Sequence, residues 1–375
     1  MNAYSIQHVE CSLRQPSFRQ HQVKEYKLKN VVLVTGNGLS IDLRSKFPDL
    51  LDTSYPLSVT SLPDYYVWNG FITDFDLVRH FPMLSVIIDN ARRNFPKITD
   101  FEILEKIRSE DHFSSLFATS SIFERDDYRL RKGLRPLTWE QENKKGIALA
   151  HLRLYLIHVF SYYDRCIFNE YLNSWRWTAW MQSNHNKLLQ VISFNYDILI
   201  ERAYKEPTQD DYLLHPKDIN ATLDRLVFSK PHGSVNHSEP QGIDFGELHC
   251  NYPSPNRIVE YGSGNVNIIP RNRMNQLRPF SDIVLPTEAV GMRQELRHIK
   301  AGYQRLKKIA PRIELCIIAG ISYWHCDRPE INEIIESLPA AKILVCNPYP
   351  PLDLLKYLVR NDRKFEVIKE DLPVV

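Results

Sequence analysis

The sequence feature that most constrains the fold is an apolar run that ends in a glycine turn. Residues 31–40 read VVLVTGNGLS, with an apolar stretch, two glycines separated by one residue, and then a polar start to a helix. A continuous apolar run is typical of a parallel strand covered on both faces. A glycine turn between strand and helix lets backbone N–H groups approach a phosphate, as in dinucleotide-binding folds. The segment therefore predicts the first strand and the ligand turn of a doubly wound sheet.

Later apolar runs alternate with helical patterns, which predicts an α/β fold with a Rossmann-like, doubly wound parallel sheet. Further strands are predicted over 189–194, 226–229, 313–319 and 342–346, with helices over 197–204 and 327–335, and the strand at 342–346 is expected to close the sheet. Residues 1–29 are polar and predict an N-terminal arm, and residues 30–375 are expected to form one dinucleotide-binding domain. Aromatic side chains and helical spacing over about 50–185 predict a large helical insertion. Its tryptophans at 175, 177 and 180 are expected to pack a core or an interface.

Composition excludes several classes of protein. The 375 residues carry a formal net charge of +2, with 43% hydrophobic and 25% charged residues, as in ordinary globular proteins. This charge gives little reason to expect direct nucleic-acid binding, and the basic stretch 297–308 is expected to be a solvated helix face. The absence of a membrane-length apolar run and of a signal peptide predicts a cytoplasmic protein. Six scattered cysteines without a Cys-x-x-Cys pair predict free thiols and no sulfur-rich zinc site.

Polar side chains follow two of the predicted strands. Residues 194–197 read FNYD and place Asn195 and Asp197 at a strand end, and residues 230–234 read KPHGS and place His232 in a turn expected to be exposed. Each has a simple structural explanation, since Asp197 can cap the next helix, Asn195 can satisfy a turn, and many turn histidines are surface residues. Doubly wound folds also bind ligands at this edge of the sheet, and a histidine there can act as a general base.

Five short blocks, in order, resemble the conserved blocks of the sirtuin-like family. They are GNGLS at 36–40, FNYD at 194–197, HGS at 232–234, AGIS at 319–322 and CNP at 346–348. The family blocks read Gly-Ala-Gly-x-Ser, Gln/Thr-Asn-x-Asp, His-Gly, Gly-x-Ser and an Asn after the last core strand. The family binds NAD and breaks its nicotinamide–ribose bond, so the resemblance implies NAD as the substrate and chemistry that needs no metal.

The resemblance also implies roles for individual residues. Asn195 would orient a water or the nicotinamide ribose, Asp197 would hold the nicotinamide carboxamide, and His232 would be the general base. Ser40 and Asp42 are expected to cap the first helix, to touch the ligand, or to do both. The full set of residues expected to bind the dinucleotide is Gly36, Asn37, Gly38, Ser40, Asp42 and Tyr196, together with Gly320, Ser322 and Asn347 on the adenosine half.

One departure from the family narrows the expected function. Sirtuin deacylases carry two Cys-x-x-Cys pairs in a zinc module between the His-Gly and Gly-x-Ser blocks, and this chain has none there. With its helical insertion, the chain resembles the bacterial antiphage-defence branch, whose members hydrolyse NAD to ADP-ribose and nicotinamide and act as toxic effectors. That branch implies regulation by homo-oligomer formation or by a separate protein, such as a HerA-like ATPase or a short Argonaute. A deacylase, an ADP-ribosyltransferase and a non-catalytic NAD or ADP-ribose sensor stay open as alternatives.

Overall fold

The computed structural model describes residues 30–46, 82–98, 102–103, 156–157, 160–161, 163–208, 213–214, 219–238, 267–274, 297–325, 327–369 and 372. The predicted N-terminal arm at 1–29 lies outside the described residues. So does most of the insertion predicted over about 50–185. The parts of that segment that are described are mainly helical. Both boundaries therefore stay predictions.

The strands and helices alternate along the second half of the chain. The strands are β1 Val31–Thr35, β2 Leu188–Ser193, β3 Leu213–Leu214, β4 Val227–Ser229, β5 His237–Ser238, β6 Asn267–Ile268, β7 Leu315–Ala319, β8 Lys342–Cys346 and β9 Phe365–Ile368. The helices are α1 Gly38–Lys46, α2 Pro82–Asn94, α3 Asn169–Asn173, α4 Arg176–Asn184, α5 Leu199–Thr208, α6 Arg297–Ile309, α7 Arg328–Ser337 and α8 Leu352–Arg360. None of the helices in the described part of the chain has the length and apolar character needed to cross a bilayer.

Within the described ranges, seven strands form one all-parallel sheet in the order β3-β4-β2-β1-β7-β8-β9, and β5 pairs with β6 in a separate antiparallel ladder. Strand β1 lies at the centre, between β2 and β7. The chain builds the β2 side first and then returns to build the β7 side, so the strand order reverses beside β1. This topology confirms the predicted doubly wound α/β fold. Ligands of such folds bind outside the carboxyl ends of the strands at this switch point.

Both faces of the sheet are buried, which explains the continuous apolar run at its start. Side chains of β1 alternate between two cores, with Val31 and Leu33 on one face and Val32 and Val34 on the other. The first core includes side chains of α1, α2, α4 and α5, and the second includes side chains of α6, α7 and α8. All four β1 side chains are fully buried. The strand is therefore held from both faces while its carboxyl end stays at the edge.

The expectation that residues 342–346 close the sheet is wrong. Strand β8 has the predicted bounds, but β9 pairs with it in parallel and forms the edge, with Val345 opposite Val367. Helix α8 connects the two strands. Strand β9 is short, and Glu366 interrupts its apolar residues because one side of an edge strand faces solvent. That mixed pattern is weaker than the run of a central strand.

The basic stretch 297–308 lies in helix α6, and at Arg305 it differs from the expected solvated face. Lys307 is exposed and pairs with Glu333, as expected of a surface lysine. Arg305 is fully buried and donates to Gln190 Oε1 at 3.1 Å and to the carbonyl oxygen of Thr222 at 2.9 Å. Burial lowers the pKa of the Arg305 guanidinium to about 10. This arginine therefore ties α6 to β2 and to the turn that precedes β4.

Two expectations about buried side chains are confirmed where the structure describes them. Trp175, Trp177 and Trp180 are buried in the core beside α4 and α5. Cys316 and Cys346 are buried free thiols, and burial raises the pKa of each to about 12. Thiols in such surroundings are poor nucleophiles, because the reactive form is the thiolate. Cys316 and Cys346 are therefore structural.

Candidate functional site

The glycine turn after β1 packs directly against the loop after β7. Gly38 N–H donates to Gly320 O at 2.9 Å, and Gly36 N–H donates to Ala319 O at 3.0 Å. A Cβ atom on Gly38 would lie 2.6 Å from Gly320 Cα, and Gly320 itself has a φ of +63°. Glycine is required here because two backbones approach each other and one of them is left-handed. The contact of Gly36 and Gly38 with a pyrophosphate stays a prediction, since these two N–H groups already have backbone partners.

Ser40, in the first turn of α1, joins the glycine turn to the FNYD segment. Its hydroxyl donates to Asp197 Oδ2 at 2.6 Å and accepts from Asn195 Nδ2 at 3.1 Å. Its carbonyl oxygen accepts from the Tyr163 hydroxyl at 3.1 Å. All three polar side chains of this network are at least nine-tenths buried. The sequence places Ser40 and Asp197 far apart, and the fold brings them into direct contact.

This network fixes the orientation of the Asn195 amide. The Ser40 hydroxyl has one proton, which goes to Asp197, so it can only accept from Asn195. The nitrogen of the Asn195 amide must therefore face Ser40, and the amide oxygen faces away. Asn195 Oδ1 is buried and has no hydrogen-bond partner. A buried acceptor without a partner is costly, so this oxygen is suited to bind a water or a hydroxyl group.

Asp197 is held at the start of α5 and is fully desolvated. Its Oδ1 accepts from the N–H of Leu199, the first residue of α5, at 3.1 Å, so it satisfies a helix N-terminus from one residue before the cap position, while Oδ2 accepts from Ser40. Burial raises the pKa of Asp197, although the nearby Lys230 cation and the two hydrogen bonds act in the opposite direction. Its expected contact with a nicotinamide carboxamide stays a prediction.

Lys230 forms a buried ionic support beneath this segment. Its ammonium group donates to Glu201 Oε1 at 2.8 Å and to the carbonyl oxygen of Asp197. Both side chains of this ion pair are almost completely buried. Burial raises the pKa of Glu201, and the pairing with Lys230 lowers it in turn. The lysine therefore links the turn that carries His232 to the turn that carries Asn195 and Asp197.

His232 lies in a buried position, so the expectation of an exposed turn is wrong. Its side chain packs between aromatic rings, 5.1 Å from Phe194 and 6.1 Å from Tyr196 between ring centroids. Its Nε2 atom lies 3.3 Å from Glu330 Oε2 and 3.5 Å from Asp327 Oδ1. Sequence motifs give no information on such burial, because the two carboxylates lie at the start of α7, about a hundred residues later, and the two rings follow β2. Only the assembled sheet brings these groups to His232.

The group His232, Asp327 and Glu330 is also the set of described residues whose donor atoms could share a metal ion. Their donor atoms lie within 4.8 Å of one another. One imidazole and two carboxylates are a donor set that divalent cations accept. A cation bound at Nε2 would take the nitrogen that now faces the two carboxylates. The pairing of His232 with carboxylates accounts for the arrangement, and the expectation of a metal-independent site stays a prediction.

The other residues expected to bind the dinucleotide close to the glycine turn and Asn195 differ in burial and in their contacts. Asn37 is half-buried in the glycine turn, and Tyr196 is buried against His232. Asp42 lies inside α1 and accepts from Trp175 Nε1 at 2.8 Å and from Arg176 Nη2 at 2.7 Å. Asp42 therefore fastens α1 to the start of α4. Neither Asp42 nor Ser40 stands at the cap position, because α1 begins at Gly38.

Residues expected on the adenosine half lie at the carboxyl ends of β7 and β8. Asn347 donates from Nδ2 to Ile321 O at 3.0 Å and accepts from Tyr349 N–H at 2.9 Å, so it organises the two loops. Gly320 N–H donates to Cys346 O at 3.1 Å. Ser322 is exposed. These residues therefore lie on the opposite side of the switch point from Asn195, and their contacts with a ligand stay predictions.

Comparison of the sequence with protein-family models and with curated proteins finds no match. The structure thus defines the class of the fold, a doubly wound parallel α/β domain with a polar cluster at its switch point.

The site contains polar residues that were not predicted from the sequence, among them Glu201, Glu330 and Lys230. Glu201 and Glu330 are acidic residues in the first turns of α5 and α7, where a carboxylate ordinarily stabilises the helix dipole. Lys230 belongs to the KPHGS segment but has no motif role of its own. A lysine two residues before a candidate base was the available signal. Its burial and its partners depend on tertiary contacts.

Proposed function

We propose that this protein binds NAD at the carboxyl edge of the sheet and hydrolyses it to ADP-ribose and nicotinamide. The observation that carries the proposal is the contact network of Ser40, Asn195 and Asp197, with His232 packed against Tyr196 of the same segment. These side chains come from the ends of β1, β2 and β4. They converge beside the switch point, where doubly wound folds bind nucleotides.

The proposed reaction uses residue types that suit the loss of a good leaving group. The bond between ribose C1′ and the nicotinamide nitrogen breaks, and its electron pair leaves with nicotinamide, which becomes neutral. A water oxygen bonds to C1′, and the proton that the water loses is taken up by His232 and later released. NAD and water thus give ADP-ribose, nicotinamide and one proton. Asn195 Oδ1 would accept a hydrogen bond from the water or from a ribose hydroxyl.

Burial of the site has a consequence for substrate entry. His232, Asn195 and Asp197 are almost inaccessible to solvent. NAD must therefore displace groups at the carboxyl edge of the sheet before its ribose C1′ can approach His232. Exclusion of bulk water is useful to such a reaction, because one positioned water then attacks the activated ribose.

The biological role that we propose is that of an antiphage effector that depletes cellular NAD. It depends on the resemblance of the five sequence blocks to the defence branch of the sirtuin-like family. The proposal includes a cytoplasmic location and control by a homo-oligomer or by a separate regulator, such as a HerA-like ATPase. A chain that purifies from its native cells as a monomer without any partner would contradict this part of the proposal.

The test of the catalytic proposal is a nicotinamide-release assay with purified protein, alone and with lysate from phage-infected cells. Replacing the base, His232→Ala, should lower nicotinamide release by about 100-fold or more, as expected when a general base is removed. His232→Gln is tested as well, because glutamine fills more of the space between the rings of Phe194 and Tyr196 than alanine does. The matched control is His185→Ala, which removes a partly exposed histidine on the turn after α4. Calorimetric titration with NAD reports binding separately.

The outcomes of this assay separate the alternatives. Nicotinamide and ADP-ribose released in equal amounts, and lost in both His232 variants, support hydrolysis. NAD binding without release in either preparation contradicts hydrolysis and favours a sensor. Release with the ADP-ribose label retained on protein favours an ADP-ribosyltransferase. Release that occurs only with acyl-lysine peptides favours a deacylase.

A further inference from the structure

We propose that Glu330 is the positioning residue of His232. Its carboxylate holds the imidazole through Nε2 and leaves Nδ1 as the nitrogen that takes up the proton. The inference rests on the proposed function, since it assigns a partner to the proposed base. It starts from the contact of Glu330 Oε2 with His232 Nε2, at 3.3 Å, between two buried side chains. That distance is at the long end for a hydrogen bond, as is common for catalytic pairs without substrate.

Packing alone does not explain a carboxylate at this position. Glu330 is fully buried in the first turn of α7, beside the core residues Ile331 and Ile334 of the same helix. A buried carboxylate costs free energy unless a hydrogen-bond donor or a positive charge accompanies it. An apolar side chain would fill the same volume at no such cost. Across the site, the carboxylate of Glu330 meets the imidazole of His232.

The chemistry of the pair determines which nitrogen acts. The proposal assigns the hydrogen of this pair to Nε2 of His232, with the Glu330 carboxylate as its acceptor. In the neutral ring, the lone pair then lies on Nδ1. When Nδ1 takes a proton, the new positive charge is offset by Glu330 and by the partly exposed Asp327, which lies 3.5 Å from Nε2. The rings of Phe194 and Tyr196 limit rotation of the imidazole.

The pair also joins the two halves of the sheet. His232 follows β4, which lies on the β2 side of β1, whereas Glu330 follows β7 on the other side. Neither half has the oriented base by itself. The imidazole is therefore set only when both halves are assembled around the switch point. A histidine whose second nitrogen is bound by a carboxylate is a general means of fixing tautomer and orientation.

The test is Glu330→Gln, which keeps the shape of the side chain and removes its charge. We expect kcat for nicotinamide release to fall by about 10- to 100-fold, the usual effect of losing such a partner, while KM changes little. Glu330→Asp keeps the charge and should recover part of the lost kcat. The matched control is Glu333→Gln in the same helix, which removes an exposed ion pair with Lys307 and should leave kcat unchanged. Thermal unfolding of each variant reports its folding.

A second readout is independent of turnover. Nitrogen-15 spectra of histidine-labelled protein, with His232 assigned by the loss of its signals in His232→Gln, report which ring nitrogen carries hydrogen. We expect hydrogen on Nε2 in the wild-type protein and a mixture of tautomers in Glu330→Gln. Hydrogen on Nδ1 in the wild-type protein would overturn the inference, and so would an unchanged kcat in Glu330→Gln. Wild-type protein with the expected spectrum but without nicotinamide release would overturn only the proposed function.

Discussion

At the scale of single residues, Ser40 shows how one hydroxyl can order a site. It donates to Asp197, accepts from Asn195, and thereby turns the Asn195 amide oxygen away from the cluster. Each of the three residues has an ordinary local explanation, such as a turn or a cap. Their direct contacts exclude a purely local explanation. The burial that accompanies these contacts also changes the chemistry of Asp197.

The raised pKa of Asp197 predicts how stability changes with pH. Burial raises this pKa above its ordinary value of 3.8, so the folded protein keeps the proton to higher pH than the unfolded chain does. Its contribution to stability is complete below that value and is lost as pH rises through the folded pKa. In Asp197→Asn this loss is absent. The unfolding free energy of the variant relative to wild type should therefore increase with pH, by at most about 1.4 kcal/mol per pH unit.

Urea unfolding of both proteins, at several pH values between about 4 and about 8, measures this difference. Contributions of carboxylates that do not interact with Asp197 cancel in the comparison, whereas that of Glu201 changes with it. A difference that stays constant, or that falls as pH rises, would show that Lys230 outweighs burial and keeps Asp197 ionised.

At the scale of elements, helix α1 is held by a polar clamp at Asp42. Its carboxylate accepts from the buried Trp175 indole and from Arg176 at the start of α4. The sequence allowed Asp42 to be a cap or a ligand residue, and the structure gives it a fastening contact between two helices. The two uses have different consequences for substitution.

Asp42→Ala should lower the unfolding free energy by about 1–3 kcal/mol, because it removes charged hydrogen bonds and leaves the Trp175 N–H without its acceptor. If the main role of Asp42 is to connect α1 to α4, the dissociation constant for NAD should change little. The control is Asp353→Ala, which removes an exposed ion pair with Arg328 and should cost less than about 1 kcal/mol. A loss of NAD affinity larger than the loss of stability would instead make Asp42 a ligand residue.

At the scale of the whole molecule, two halves of a doubly wound sheet meet at backbone contacts beside the switch point. Gly38 N–H donates to Gly320 O, and there is no room for a Cβ atom on Gly38. The pair of His232 and Glu330 crosses between the same halves. The candidate site is therefore assembled from both sides of β1, and its geometry depends on how closely the loops approach.

Gly38→Ala tests this close approach. The added methyl group would lie 2.6 Å from Gly320 Cα, so the two loops must separate. We expect the unfolding free energy to fall by about 1–3 kcal/mol, as in other overpacked sites, together with a loss of activity. Unfolding measured by circular dichroism checks the first part. An alanine variant with wild-type stability would show that the loops separate readily. Ligand binding would then be the remaining reason for a glycine at this position.

Much of the fold was predictable from sequence because its central strands are buried on both faces. Such strands need apolar side chains at every position, and this leaves long runs such as 31–34 and 315–319. The edge strand β9 was missed because one exposed side permits polar residues such as Glu366. Local sequence patterns therefore identify strands that are buried on both faces more readily than strands that are buried on one face.

By itself, the sequence determined the class of fold, the positions of the central strands, and the candidate residues at their carboxyl ends, because strand periodicity and glycine turns are local properties. The tertiary structure decided which of these residues meet. Ser40 contacts Asp197 and Asn195, His232 is buried against Glu330, and Lys230 supports the turn of Asp197. These contacts join segments far apart in the chain. Their distances depend on how strands assemble side by side, which no single segment encodes.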